Sequence, residues 1–383
     1  MTNVPSLDLT QQYKIISEQL NTKIQEVLAS GRYIGGSIVD EFEQQFASYI
    51  NVSHCVSCNS GTDALFLALR AVNIRPGDEV ITTPFTFFST AEVISAVGAT
   101  PVFIDIDPQT FNLDIQQLES AITEKTKAIL PVHLFGQPVN MTHLMAIARQ
   151  YNLIVIEDCA QATGAEWYNQ KVGSFGDIGC FSFFPTKNLG AFGDGGAVTT
   201  NNPAIAAQVR MLKNHGQSAK YYYEQIGINS RLDTIQAAIL QIKLGYLDSW
   251  NEQRRNLANT YHKLLEDITA IVPPQELSGS RCVWNQYTIK LKSQELEATI
   301  KSRFSSSLRD WVRTQLQNKR IGSAIYYPIP LHLQPVYKSL AYPQLPTVEQ
   351  VCHQVLSLPM FPELSTPQQE QVIFALKDCL SES

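Results

Sequence analysis

Through the first two thirds of the chain, short apolar runs take turns with longer stretches in which apolar residues recur every three or four positions. The runs at 54–58 (HCVSC), 78–84 (DEVITTP), 100–107 (TPVFIDID), 126–136 (TKAILPVHLFG), 153–159 (LIVIEDC), 179–185 (GCFSFFP) and 195–200 (GGAVTT) predict strands. The stretches 60–72 (SGTDALFLALRAV), 88–98 (FSTAEVISAVG), 114–122 (DIQQLESAI) and 141–152 (MTHLMAIARQYN) predict helices, the first starting near Ser60 or Thr62. Several of the strands are apolar at successive positions rather than at alternate ones. Strands of that kind are covered on both faces, as in a parallel sheet packed by helices. Strand–helix–strand order with right-handed crossovers then gives a doubly wound, mostly parallel α/β layer.

From 230 to 268 the spacing predicts one long helical stretch, bent near Gly245. A Pro/Gly/Ser loop follows at 272–280 (VPPQELSGS), and beyond it 285–292 (NQYTIKLK) and 321–330 (IGSAIYYPIP) predict strands among helices of mixed polarity. The pattern divides into a large α/β domain, 1–247, and a smaller C-terminal α+β domain, 248–383. A length of 383 residues favours two domains in any case.

Composition narrows the function classes. The chain is 44% hydrophobic and 17% charged, with a net charge of −6, which argues against nucleic acid or an anionic membrane held by bulk electrostatics. No window reaches the length of a membrane span, and the first residues lack the basic start and apolar run of a signal peptide, so a cytoplasmic protein is expected. Seven scattered cysteines make no disulfide framework. Cys55 and Cys58 form a C-x-x-C, but no second pair completes a metal site, and both are expected as buried small side chains on a strand.

In an open parallel sheet, ligands bind outside the carboxyl ends of the strands. Three features fall there. NSGTDAL begins a helix, whose amino terminus attracts an anion such as a phosphate; Gly61 permits close approach and Thr62 adds a hydroxyl. Asp158 ends LIVIED, where a carboxylate either caps a helix or keeps a ring nitrogen protonated. Lys187 lies between a strand that carries Ser182 and the glycine-rich GAFGDGG, where an amine is placed to condense with a carbonyl. An anion cradle, an acid and a lysine are the handles that pyridoxal 5′-phosphate requires. GSFGDIG has the wrong glycine spacing for a dinucleotide site, and no phosphate loop of the G-x-x-x-x-G-K-[ST] type is present.

Motifs spread over nearly the whole chain carry a family resemblance: SGRYIGG, NSGTDAL, GDEVITTPFTF, PVFIDIDPQTFNLD, PVHLFGQ, IEDCAQATGA, FSFFPTKNLGAFGDGGA, NHGQ, GINSRLDTIQAAIL and YYPIPLHLQP. In these the chain resembles the DegT/StrS nucleotide-sugar aminotransferases, in the fold type I (aspartate aminotransferase-like) class of pyridoxal phosphate enzymes. It is most similar to the branch that acts on carbon 3 of keto sugars carried on dTDP or UDP. The resemblance implies that Lys187 bonds to the cofactor aldehyde as a Schiff base and then moves the proton. It implies that Asp158 pairs with the pyridine nitrogen, Gln161 lies near the phenolic oxygen and Phe87 stacks on the ring. Gly61, Thr62 and Ser182 match phosphate-binding positions. Asn229 matches a residue that reaches the phosphate from a neighbouring subunit, which implies a homodimer with its active sites at the interface. Tyr33, Arg231, Tyr327 and His332 match positions lining the nucleotide-sugar pocket.

The implied reaction takes an amino group from L-glutamate to a nucleotide-linked keto sugar. A dehydratase branch of the family has histidine where Lys187 stands, so the lysine favours amino transfer. Tyr326 stands where some hexuronate enzymes have histidine, which argues against a UDP-hexuronate. A 4-keto specificity, a dehydratase and a sugar-nucleotide sensor without catalysis remain as alternatives.

Overall fold

Seven strands make the central sheet of the computed structural model, which describes residues 3–381. They are β1 (His54–Cys58), β2 (Glu79–Thr82), β3 (Thr100–Phe103), β4 (Thr126–Ile129), β5 (Ile154–Asp158), β6 (Ile178–Ser182) and β7 (Gly196–Thr200), in the order β1-β7-β6-β5-β4-β2-β3. All pairings are parallel except the two made by β7, which runs antiparallel to both β1 and β6. The fold is the mostly parallel α/β layer that the apolar runs predict, and it agrees with the fold type I that the resemblance implies.

Helices α1 (Leu9–Ser30) and α5 (Met141–Gln150) are among those that accompany the sheet, and alternate residues of β1, β6 and β7 feed different cores. Val56, Cys180 and Val198 pack under α3 (Gly61–Ala71), α4 (Ser89–Ala96) and α6 (Pro203–Leu212). Their neighbours Cys55, Phe181 and Ala197 pack instead with α2 (Ser37–Ile50) and α7 (Thr234–Leu244). With apolar layers on both faces there is no position for a polar alternation. Cys55 and Cys58 are both buried on β1, where desolvation pushes each thiol up.

The helical stretch 230–268 is two helices rather than one bent helix. α7 stops at Leu244, and α8 (Leu247–Leu265) begins after Gly245 and Tyr246. α8 spans two cores: Leu247 packs with α2 and α7, whereas Leu257, Ala258, Tyr261 and Leu265 join the C-terminal cluster. That cluster surrounds an antiparallel sheet of Ile271–Val272, Tyr287–Leu291 and Val355–Leu358, and also takes in Val4. No helix among the described residues is long and apolar enough to cross a membrane.

Two predicted elements are corrected. Residues 114–122 form no α-helix but two 3₁₀ turns, Ile115–Gln117 and Glu119–Ala121. Their apolar positions Ile115, Leu118 and Ala121 recur every three residues, which suits 3.0 residues per turn. Residues 321–330 form no strand. Ile321 makes one bridge to Val4 and Ala324 one to Ser357. Pro328 and Pro330 lack the N–H groups that a ladder needs, and the chain leaves as a loop that brings Tyr326 and Tyr327 to the sheet edge.

Candidate active site

A cavity of about 430 Å³ opens at the carboxyl ends of the parallel strands. Eight of the residues given site roles in the sequence line it, Gly61, Thr62, Phe87, Asp158, Gln161, Ser182, Lys187 and Tyr327, and so does Tyr326. They are delivered by the ends of elements and by the loops that follow them. Asp158 is the last residue of β5 and Ser182 the last of β6, Gly61 and Thr62 open α3, and Lys187 lies in the loop from β6 to β7.

Asp158 is buried and held from two sides. The Ala160 N–H donates to Oδ1 at 3.1 Å and the Thr90 hydroxyl to Oδ2 at 2.9 Å. Burial raises its pKa in spite of these bonds and of the nearby charges of Lys187 and His133. Burial likewise lowers the pKa of Lys187, with the Asp158 charge working the other way. The pair therefore offers an amine eased towards its neutral, nucleophilic form and a carboxyl that gains from a cation beside it. A protonated ring nitrogen is such a cation.

The helix start is built by close packing. Ser60 caps α3 by accepting from the Asp63 N–H at 3.1 Å, and the first-turn N–H groups, which a helix cannot bond internally, lie at the cavity. Gly61 is required for contact with β6: a Cβ there would meet the Ser182 Cβ at 2.6 Å. This glycine brings helix and strand together and sets the cradle at their junction. The Thr62 and Ser89 hydroxyls lie 2.7 Å apart on its rim. Phe87, 60% exposed, presents an aromatic face at the mouth. Gln161 has a fixed amide, its Oε1 accepting from the Phe135 N–H at 2.7 Å and its Nε2 donating to the Tyr327 hydroxyl at 3.0 Å. Carboxyl, amine, anion cradle and aromatic face fit pyridoxal phosphate.

Four singled-out residues do not line this cavity. Tyr33 is exposed, and its hydroxyl donates to the Leu28 carbonyl at 3.2 Å. Asn229 bridges Asn214, whose side-chain oxygen also accepts from Arg231 at 2.9 Å. His332 is buried with Nε2 3.1 Å from Glu349.

Other residues around the site carry no signal in the sequence. Thr90 is one threonine among several in TTPFTFFST, and only the fold sets it against Asp158. Glu157, beside Asp158 but on the other face of β5, accepts from the N–H groups of Gly173, Phe175 and Gly176 at 2.8–2.9 Å and lies 3.0 Å from His133 Nε2. His133, Glu157 and Cys159 are near enough to one another to suggest a metal site. The imidazole has both nitrogens engaged, Nδ1 accepting from the Val139 N–H at 3.1 Å, so the group works as a clamp on the strand that ends in Asp158.

Comparison with known proteins agrees with this geometry. The sequence model of the DegT/DnrJ/EryC1/StrS aminotransferase family matches residues 14–377. The chain is 48% identical over 375 residues to a pleiotropic regulatory protein of Geobacillus stearothermophilus, covering 97% of each. It is 44% identical to the UDP-N-acetyl-3-dehydro-α-D-glucosamine 3-aminotransferase of Acidithiobacillus ferrooxidans, covering 99% of this chain and 98% of that protein. Streptomyces venezuelae DesV, solved in complex with a ketimine intermediate, superposes with a TM-score of 0.93 at 41% identity and 99% coverage of both chains. Likeness of this extent, end to end in sequence and in fold, leaves one assignment: the chain belongs to the DegT/DnrJ/EryC1/StrS family and is a pyridoxal phosphate-dependent aminotransferase.

Proposed function

We propose that this enzyme moves the amino group of L-glutamate to carbon 3 of a keto sugar carried on dTDP or UDP, in the cytoplasm. The observation that carries the reading is Lys187 and Asp158 in one cavity beside the first turn of α3. The carbon 3 assignment is supported by relatives named for that position, on UDP and on dTDP sugars.

When bound, pyridoxal phosphate supplies an electron sink for the carbanion that amino transfer generates. Asp158 would hold the ring nitrogen protonated, and Gly61, Thr62 and Ser182 would hold the phosphate. Phe87 would cover one ring face and Gln161 would meet the phenolic oxygen. Lys187 would bond to the aldehyde and, once released, carry a proton between the reacting carbons as general base and acid. Tyr327 would contact the sugar from the same cavity, with Tyr33, Arg231 and His332 as further substrate contacts.

Asn229 would serve the cavity of a second copy, so the working form would be a homodimer. The hairpin before it supports this reading: Tyr221, Tyr222, Tyr223 and Ile226 are each at least 57% exposed, an apolar surface of the kind that meets a partner. The separate cores on either side of α8 support a division into domains 1–247 and 248–383.

The test is to offer the loaded enzyme L-glutamate with a panel of dTDP- and UDP-linked 3-keto and 4-keto sugars. The expected result is 2-oxoglutarate together with a 3-amino sugar nucleotide of matching mass, and neither from Lys187→Ala. Amination of the 4-keto sugars alone would reject the carbon 3 assignment, and sugar loss of water without 2-oxoglutarate would reject amino transfer.

A further inference from the structure

Lys243 on α7 is a buried lysine, 2% exposed and absent from the cavity wall. Its Nζ donates to the carbonyl of Gly190, three residues beyond Lys187. Burying an ammonium is costly, so an interior lysine needs a partner that justifies its place.

The loop it touches is tightly wound. Phe183 donates to the Gly195 carbonyl and Ala191 donates back to the Phe183 carbonyl, both at 2.7 Å, while the Lys187 N–H closes a turn on Phe184 at 2.9 Å. Gly190 lies where a side chain would strike the Pro185 carbonyl. The reactive amine thus rises from a closed ring of backbone, and the orientation of that ring sets where the amine points.

α7 grips this ring twice. Gln236 accepts from the Phe192 N–H at 2.9 Å, and Lys243, two helical turns further on, takes the Gly190 carbonyl. The Lys243 ammonium also lies 5.3 Å from the centre of the Phe192 ring and 5.9 Å from that of Trp250.

We propose that Lys243 is a positioning residue for Lys187: by holding the Gly190 carbonyl it fixes the loop that aims the reactive amine at the cofactor aldehyde. Burial brings Lys243 to about 8, with the Glu363 carboxylate favouring its charge, so at neutral pH it donates as an ammonium. The inference rests on the reading of Lys187 as the lysine that bonds to the cofactor.

The test follows the covalent capture of pyridoxal phosphate by cofactor-free protein, through the imine absorbance and borohydride trapping, in wild type, Lys243→Met and Lys243→Gln. Circular dichroism and melting temperature report folding separately. A misplacement of 1 Å costs about a hundredfold, so Lys243→Met is expected to capture the cofactor roughly ten to a hundred times more slowly. Its imine absorbance is also expected to titrate at a shifted pH. Lys243→Gln, which keeps a donor, is expected to stay within about threefold of wild type, because the hydrogen bond is the part that positions. Capture by Lys243→Met at the wild-type rate with an unmoved titration would overturn the proposal, whatever happens to its melting temperature. Lys243→Gln as slow as Lys243→Met would overturn it too, and it decides the matter alone should the methionine variant not fold. A wild-type protein that forms no imine would instead bring down the reading of Lys187, and this inference with it.

Discussion

Asp158 and Lys187 are both pressed towards neutrality by the same walls, and one hydroxyl works against that pressure on the acid. The Thr90 bond to Asp158 favours the carboxylate, which is the form that keeps a ring nitrogen protonated. Thr90→Val removes the hydroxyl and keeps the shape. A hydrogen bond to a charged group contributes about 1.5–3 kcal/mol, so kcat should fall by about tenfold or more with the fold intact. Steady-state kinetics and the pH midpoint of the cofactor absorbance would check this; a variant with unchanged values would remove Thr90 from the site. Lys243 makes a second prediction, in stability. Its pKa is depressed from 10.5 to about 8 by burial. Between these values the unfolded chain holds the proton and the folded chain does not, so this group adds stability as pH rises, and below about 8 its penalty is complete. Relative to Lys243→Met, wild type should gain on the order of 3 kcal/mol from pH 8 to 10.5. Denaturant unfolding at both pH values measures it, and parallel behaviour of the two proteins would contradict the depressed pKa.

Elements differ in how far they could be read from the sequence, and the reason is what holds each one. β1, β5 and α3 carry their own signals, continuous apolar residues in the strands and a serine cap before the helix, and they occur where those signals lie. Asp158 is legible for the same reason, since it ends such a strand, and Lys187 is legible from the strand before it and the glycine-rich stretch after it. The turns at 115–121 pass for a helix in the sequence because a period of three resembles a period of 3.6 over so short a stretch. The loop at 321–330 passes for a strand because its apolar residues suit one, while its prolines forbid the ladder. Thr90, Glu157 and Lys243 are illegible, since their partners lie 16 to 68 residues away and only the folded chain brings them near. Gly61 stands between these cases: its place at a helix start was readable, its contact with Ser182 was not. Gly61→Ala drives a methyl into β6 and should destabilise the fold by about 1–3 kcal/mol, through overpacking. It should also weaken pyridoxal phosphate more than pyridoxal, since the phosphate end of the cavity is displaced. Equal losses for the two ligands in a binding titration would show that this junction does not hold the phosphate.

At the scale of the whole molecule, the cavity and the segment carrying Asn229 part company within one chain. Lys187 lines the cavity, whereas Asn229 lies beyond it, beside Asn214 and an exposed apolar hairpin. If the active site is shared between copies in a closed pair, each copy gives its lysine to one site and its asparagine to the other. That arrangement makes two damaged chains repair each other. Lys187→Ala alone and Asn229→Ala alone would each leave both sites of a homodimer defective. In a mixed dimer, the chain with the intact lysine meets the chain with the intact asparagine at one site, and both defects gather at the other. After unfolding and refolding the two variants together at equal amounts, about half the dimers are mixed, each with one whole site. Activity should then rise from near nothing towards roughly a quarter of wild type. A site complete within one chain cannot behave this way, because co-refolding would leave the activity at the average of the two variants. The rise should also depend on exchange of subunits, being absent when the two purified variants are simply mixed cold and assayed before their dimers dissociate.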